Sequence, residues 1–137
     1  YVGSKAQVER AVAAKPIRGS NSGTPISANV CAAALKLVRN NPDLCKRVRE
    51  SADYLRSNLR ALGLDVSDTQ APIVSFSYAG FSEMRNIQQY LFNQRMYVLH
   101  SNYIASGPGG IIRLSIFADH SVQDLDRVTA AIDGALS

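Results

Sequence analysis

One arginine inside an apolar strand pattern is the residue of this chain best placed to do chemistry. Arg113 interrupts Ile111-Ile112-Arg113-Leu114-Ser115-Ile116, a run that otherwise asks for burial. If Ile112, Leu114 and Ile116 pack inward, the two-residue period of a strand turns Arg113 to the opposite face, beside Ser115. A guanidinium fixed on a strand offers a planar fork to a carboxylate and stays charged at any working pH. The pattern fits equally an arginine on the solvent face of an edge strand, and spacing alone leaves both open.

The loop Arg18-Gly-Ser-Asn-Ser-Gly-Thr24 is the second candidate. Ser20, Ser22 and Thr24 supply hydroxyls, the glycines let backbone amides approach, and a helix amino terminus follows at Pro25. Such a set suits a phosphate. It lacks the spacing of a nucleotide P-loop, and an ordinary helix cap explains it as well. His100 and His120 have no cysteine, histidine or carboxylate at metal spacing, although Asp119 adjoins His120; both read as structural, His120 as shaping a turn into the last helix. Lys5 stands near a helix start and does not read as a Schiff-base lysine. No serine sits in a nucleophile elbow, and Cys31 and Cys45 pair with no histidine.

These residues need elements to hold them. Ser4 to Lys15 predicts a short helix capped by Ser4 and ended by Pro16, and Pro25 to about Arg39 a second one. Asn41-Pro42-Asp43 is a restart signal, after which Leu44, Val48, Ala52, Leu55, Leu59 and Leu62 recur at three and four until Gly63 closes the helix. The rhythm then changes. Ile73 to Tyr78 predicts a strand with Val74, Phe76 and Tyr78 on one face. Gly80-Phe81-Ser82 breaks it, with Ser82 expected to cap a helix that carries Met84, Ile87 and Leu91 inward. Met96 to Leu99 predicts a short strand and Ile111 to Phe117 a longer one, separated by a loop containing Gly107-Pro108-Gly109-Gly110. Ser121 with Asp124 is a capping box for a last helix with the stripe Leu125, Val128, Ile132 and Leu136. The implied class is α/β of the α+β kind: a small, mostly antiparallel sheet with helices packed on one face, preceded by two connecting helices.

Composition narrows the function. The 137 residues are 46% hydrophobic and 19% charged, an ordinary globular balance and not a disordered one. No apolar run approaches the roughly 20 residues of a membrane span. The net charge of +4 permits anion or nucleic-acid binding, but Lys36, Arg39, Lys46, Arg47, Arg49, Arg56 and Arg60 read as the solvated face of one helical region, with no interleaved aromatic strand. Nucleic acid is therefore not expected as a partner. Cys31 and Cys45 read as buried or half-buried thiols of a reducing, cytoplasmic compartment. The chain opens at Tyr1 and reads as the later part of something longer.

Three stretches together resemble the α-oxoamine synthase family of aminotransferase class I/II, pyridoxal 5'-phosphate (PLP) enzymes of fold type I. Tyr1-Val-Gly-Ser-Lys5 is similar to the segment that follows the cofactor lysine in that family. Ser20-Asn-Ser-Gly-Thr-Pro-Ile26 resembles its Ser/Thr-rich turn before a proline. Ile112-Arg113-Leu114-Ser115 through Ala118-Asp119-His120-Ser121 resembles its Arg-Leu-Arg-x-x-x-x-Ala-x-His stretch, with the arginine-to-histidine spacing in agreement. Two departures stand out. Ile111 replaces the first arginine, and His100-Ser-Asn-Tyr-Ile104 replaces a more usual Arg-Pro-Pro segment. The Ile-Ile-Arg-Leu-Ser form is closer to the α-hydroxyketone autoinducer synthases.

The resemblance implies that residues 1–25 end a large PLP-binding domain, 26–62 are connecting helices and 63–137 form a C-terminal small domain. It implies a PLP-dependent acyltransferase that condenses an acyl-CoA or acyl-carrier thioester with an amino acid to give an α-amino ketone, acting as a homodimer. By position, Arg113 would bind the substrate carboxylate, and Ser22, with Thr24 beside it, the cofactor phosphate of the partner subunit. The cofactor lysine would lie upstream of Tyr1, so this stretch alone is expected to be inactive. A PLP-dependent aminotransferase of the same fold and a non-catalytic α/β ligand-binding module remain as alternatives. The acyl chain and the amino acid stay open.

Overall fold

The stripe that begins at Leu44 builds the central helix of the compact unit formed by residues 41–137. In the computed structural model, which describes residues 3–13, 24–103 and 106–137, it belongs to a helix Pro42–Ala61 (α3). Ala52, Leu55 and Leu59 are buried along it, and Leu44, Val48 and Leu62 are half-buried. Asn41 precedes the helix without a side-chain capping bond, and Pro42 sits where its missing N–H costs nothing. Gly63, at φ +80°, ends it. The Gly63 N–H bonds the Arg60 carbonyl at 2.9 Å and the Leu64 N–H bonds that of Leu59 at 3.3 Å, with both leucines buried. This is the Schellman closure expected of a left-handed glycine.

Beyond it lie β1 (Asp65–Val66), β2 (Ile73–Ser77), α4 (Phe81–Asn93), β3 (Leu99–Ser101), β4 (Ile111–Ser115) and α5 (Val122–Leu136). The strands form one antiparallel sheet in the order β1-β2-β4-β3. Val74, Phe76, Ile112 and Leu114 are buried under α3 and α4, and α5 packs on both helices through Leu125 and Ile132. Helices on one face of a small antiparallel sheet are what the alternation predicts.

Several local expectations shift. β1 is too short to show in the sequence. Tyr78 falls outside β2 and is exposed, and α4 is capped by extended Gly80, with Ser82 already inside the helix. The strand foreseen at Met96 to Leu99 begins only at Leu99, because the Val98 carbonyl accepts from the Gln88 side chain (2.9 Å) and the Met96 N–H donates to the Leu91 carbonyl (2.9 Å). β4 stops at Ser115 and not Phe117, whose N–H is taken by His120. Cys31 and Cys45 are exposed thiols, contrary to expectation.

The main correction concerns Arg56. It is not part of a solvated face: only 3% of it is exposed. Its Nη1 donates to Asp53 at 2.7 Å, and its Nη2 to the carbonyls of Ala71 and, at 3.4 Å, Ile73. The intervening Pro72 carbonyl accepts from the Ile116 N–H at 2.9 Å. Three successive carbonyls at the start of β2 are thus satisfied from α3 and from the end of β4. The buried Nε–H finds no partner among the described residues.

The preceding part, residues 1–40, is a separate compact unit. It holds α1 (Lys5–Ala13) and α2 (Pro25–Asn40). Ser4 caps α1 as foreseen: its Oγ accepts from the Gln7 N–H (3.4 Å) and its own N–H donates to Gln7 (2.8 Å). Neither helix buries a residue, and Ile26, Val30 and Leu35 of α2 are exposed. No helix among the described residues is long and apolar enough to cross a membrane.

Two outcomes follow for stability. Arg56→Ala should cost about 3 kcal/mol in denaturant unfolding, the loss of charged hydrogen bonds to buried carbonyls. Its ion pair adds little, since Asp53 is 75% exposed and solvent-screened. A cost below roughly 1 kcal/mol would show that the clasp is dispensable. The second concerns Ser121 and Asp124. The Ser121 hydroxyl, then the Ser121 N–H, hold the Asp124 carboxyl below the ordinary aspartate range, with smaller help from His120 and Arg127. Because the folded value is the lower one, this contribution is complete above the ordinary aspartate value and is lost as pH falls through the folded value. Ser121→Ala should raise the Asp124 midpoint in an NMR titration and cost about 1 kcal/mol at the cap.

Candidate functional site

Arg113 lies on an inner strand. It pairs with Ser75 of β2 on one side and Leu99 of β3 on the other, so the edge-strand explanation does not hold. Its neighbours Ile112 and Leu114 point into the core, which by alternation turns Arg113 to the face without helices. Ser75, Ser77 and Ser115 share that face by register, and their small side chains leave space around a long one. Arg113 is half-buried, yet no acid or carbonyl among the described residues partners its guanidinium. With its backbone fixed in the ladder and no partner for its side chain among the described residues, it is available to an anionic ligand.

The β3–β4 ladder ends at the pair Leu99 and Arg113. Upstream of Leu99 the chain is drawn toward α4 by the Gln88 bond to Val98, while β4 runs on beside β2 as far as Ile116. The strands therefore part, and a cleft of about 420 Å3 opens between them. Arg113 lines it, facing walls made by Tyr97, Leu99, Phe117, His120 and Val128. A volume of this size suits a small organic ligand. Asp124 also borders the cleft, with its carboxylate held by the Ser121 N–H (2.9 Å) and hydroxyl (2.7 Å).

The two histidines hold turns, as the sequence suggested. The His100 Nε2 donates to the Gly109 carbonyl at 2.9 Å, and its ring lies 5.0 Å from that of Phe81. That fold-back needs glycine: a Cβ on Gly110, at φ +72°, would fall 2.7 Å from the Ser101 carbonyl oxygen. His120 accepts the Phe117 N–H on Nδ1 at 3.2 Å and donates its own N–H to the Phe117 carbonyl at 3.2 Å. Lys5 is 91% exposed and 4.0 Å from Glu9, with nothing of a cofactor lysine about it.

Of the phosphate candidates, Ser22 lies outside the described residues, as do Ser20 and the rest of the loop before Thr24. Thr24 is exposed at the start of α2, where its Oγ1 accepts the Ser27 N–H at 3.2 Å and lies 3.0 Å from the Ser27 hydroxyl. The structure thus brings Arg113 and His120 into one cleft within residues 41–137, while Thr24 belongs to the first unit. Sequence reasoning missed Tyr97 and Phe117 as walls, because nothing in their spacing tells where two strands stop pairing. No cluster of metal-binding side chains occurs among the described residues.

Comparison with known proteins places the fold. The sequence pattern of the family "Aminotransferase class I and II" matches residues 4–132. An 8-amino-7-oxononanoate synthase of Fervidobacterium nodosum is 27% identical over 114 residues, covering 82% of this chain and 29% of the relative; that of Petrotoga mobilis is 26% identical with the same coverage. The chain therefore spans less than a third of these enzymes. Among solved structures, an 8-amino-7-oxononanoate synthase of Francisella tularensis superposes with a TM-score of 0.77 at 18% identity, over 97% of this chain and 39% of that one. A serine palmitoyltransferase of S. paucimobilis, solved with bound PLP, gives 0.59 at 24% identity over 66% of this chain and 23% of that one. These likenesses bear out the fold: the sheet and its helices are those found in PLP enzymes of fold type I. With nearly its whole length matched, the chain belongs to the aminotransferase class I and II family, in which its curated relatives are enzymes of the oxoamine synthase type.

Proposed function

We propose that this chain is the substrate-facing C-terminal part of a PLP-dependent acyltransferase, which condenses an acyl thioester with an amino acid to give an α-amino ketone. The observation that carries the reading is Arg113: an arginine on an inner strand, half-buried, bordering a cleft and without a partner for its guanidinium among the described residues. Such a group suits a substrate carboxylate, which it can grip with two parallel hydrogen bonds and so orient the adjacent carbon. When bound, PLP supplies an electron sink next to that carbon. The amino acid gives up a proton or its carboxylate as carbon dioxide, the new carbon–carbon bond forms at the acyl carbonyl, and the thiol leaves with a proton.

The residues present fit one end of the cofactor. Thr24, with Ser27 beside it at a helix amino terminus, is the donor set a phosphate takes. Ser22 shares this role by its position in the family's turn, and in the proposed homodimer both serve the partner's cofactor. Nothing among the described residues fits the reactive end of PLP, so the 137-residue chain by itself should show neither cofactor absorbance nor product. In the same reading, residues 1–25 end a large cofactor-binding domain, 26–62 connect, and 63–137 form the small domain, with α3 of the connector packed into its core.

The family's breadth keeps one other reading, an aminotransferase, in which Arg113 would hold the carboxylate of a keto acid. Arg113→Ala in the complete protein, assayed with glycine, L-alanine and L-serine against acetyl-, hexanoyl- and palmitoyl-coenzyme A, tests the proposal. The amino-acid KM should rise roughly 30-fold or more, as expected for losing a bidentate charged pair, while the thioester KM stays within about twofold. An unchanged amino-acid KM would sink the role of Arg113. Turnover of keto acids without any thioester product would make the protein an aminotransferase.

A further inference from the structure

His120 does more than close a turn. The Phe117 N–H can only donate, so the His120 Nδ1 that receives it carries a lone pair. The neutral ring therefore has its proton on Nε2. No described residue accepts that proton. The ring is oriented by the Phe117 N–H that its Nδ1 accepts and by an edge-to-face contact with the Phe117 ring at 5.6 Å, on a backbone held by the His120 N–H bond to the Phe117 carbonyl. The result is a hydrogen-bond donor of fixed orientation in a cleft whose other walls are Tyr97, Leu99, Phe117 and Val128.

We propose that this cleft seats the acyl group of the thioester, with the His120 Nε2–H donating to its carbonyl oxygen. The inference rests on the acyl-transfer reading above. In that reaction the new bond joins the carbon next to the carboxylate, or the carbon that bore it, to the acyl carbonyl carbon. The acyl group must then begin beside the ligand of Arg113, and among the described residues Arg113 borders this cleft. A carbonyl seated against these side chains gives up part of its water and gains from a donor held in place beside it. Arg113 is occupied by the carboxylate and the Asp124 carboxylate can only accept; of the remaining donors that border the cleft, the Tyr97 and Ser115 hydroxyls turn freely, and the His120 ring is the one held by a second hydrogen bond. A donor aimed at that oxygen also stabilises the negative charge it gains as the bond forms.

Two substitutions at one position separate this role from the turn. His120→Asn sets an amide oxygen where Nδ1 now accepts, keeps the turn and removes the Nε2–H. His120→Gln places an amide N–H near the Nε2 position and leaves the Phe117 N–H without its partner. In the complete protein, His120→Asn should keep the wild-type Tm and amino-acid KM. It should raise the thioester KM, and the dissociation constant of hexanoyl-coenzyme A measured by calorimetry without amino acid, roughly tenfold. His120→Gln should recover part of that binding despite a looser turn. A third variant, Val128→Phe, narrows the apolar wall and should shift the preferred chain toward acetyl in the acetyl–hexanoyl–palmitoyl panel. Wild-type thioester binding in His120→Asn, or an unchanged chain-length profile in Val128→Phe, overturns the acyl seat. If Arg113→Ala raises the amino-acid KM while these variants stay silent, the acyl seat alone falls; a silent Arg113→Ala removes the reading beneath it.

Discussion

The guanidinium of Arg56 is the contact on which the candidate site depends. It leaves α3 to meet the Ala71 and Ile73 carbonyls, and the Pro72 carbonyl between them takes the Ile116 N–H. Thus α3, β2 and β4 are pinned at one point. From there the register runs without choice: Ile73 opposite Ser115, Val74 opposite Leu114, Ser75 opposite Arg113. A slip of one residue would drive Arg113 into the core and turn Ile112 and Leu114 out to solvent. A buried charge is costly unless its donors are matched, and here two carbonyls of one segment and the Asp53 carboxylate take three bonds from it. The orientation of Arg113 is thus fixed by another arginine 57 positions earlier in the chain.

The sheet serves two purposes because its faces differ in character. Its covered face is lined with hydrocarbon beneath α3, α4 and α5, and its open face sets Arg113 among Ser75, Ser77, Ser115 and the aliphatic Ile73, Leu99 and Ile111. The cleft appears where this order fails, at the end of the β3–β4 ladder. Neither strand is badly formed there. Each is recruited by a different partner, Val98 by Gln88 and Ile116 by Pro72, and the gap is what two good sets of hydrogen bonds leave between them.

Periodicity made the architecture legible. The stripes of α3, α4 and α5, the Gly63 closure, the Ser121–Asp124 capping box and the inward Val74 and Phe76 are local patterns, and each is found in place. Arg113 was legible too, as a charge inside an apolar strand. What stayed hidden depends on contacts between distant residues. Arg56 stands four after Ala52 and three before Leu59, on the buried stripe itself, but charge argued for the surface and only the carbonyls of a loop 15 positions on could reverse that. The limits of β3 and β4 were misjudged for the same reason. A side chain from elsewhere took the backbone group that would have continued each ladder.

One consequence of the capping box reaches beyond the helix it starts. Asp124 lines the same cleft as Arg113, and a free carboxylate there would compete with any substrate carboxylate for the guanidinium. It is not free. Two donors from Ser121 hold one of its oxygens, and the same contacts keep it ionised to lower pH than an ordinary aspartate. The acid is spent on the first turn of α5, where a negative charge is favoured by the helix dipole. The cleft is left bordered by the Arg113 cation, which no described residue neutralises, and by the His120 ring, whose Nδ1 is taken by the Phe117 N–H.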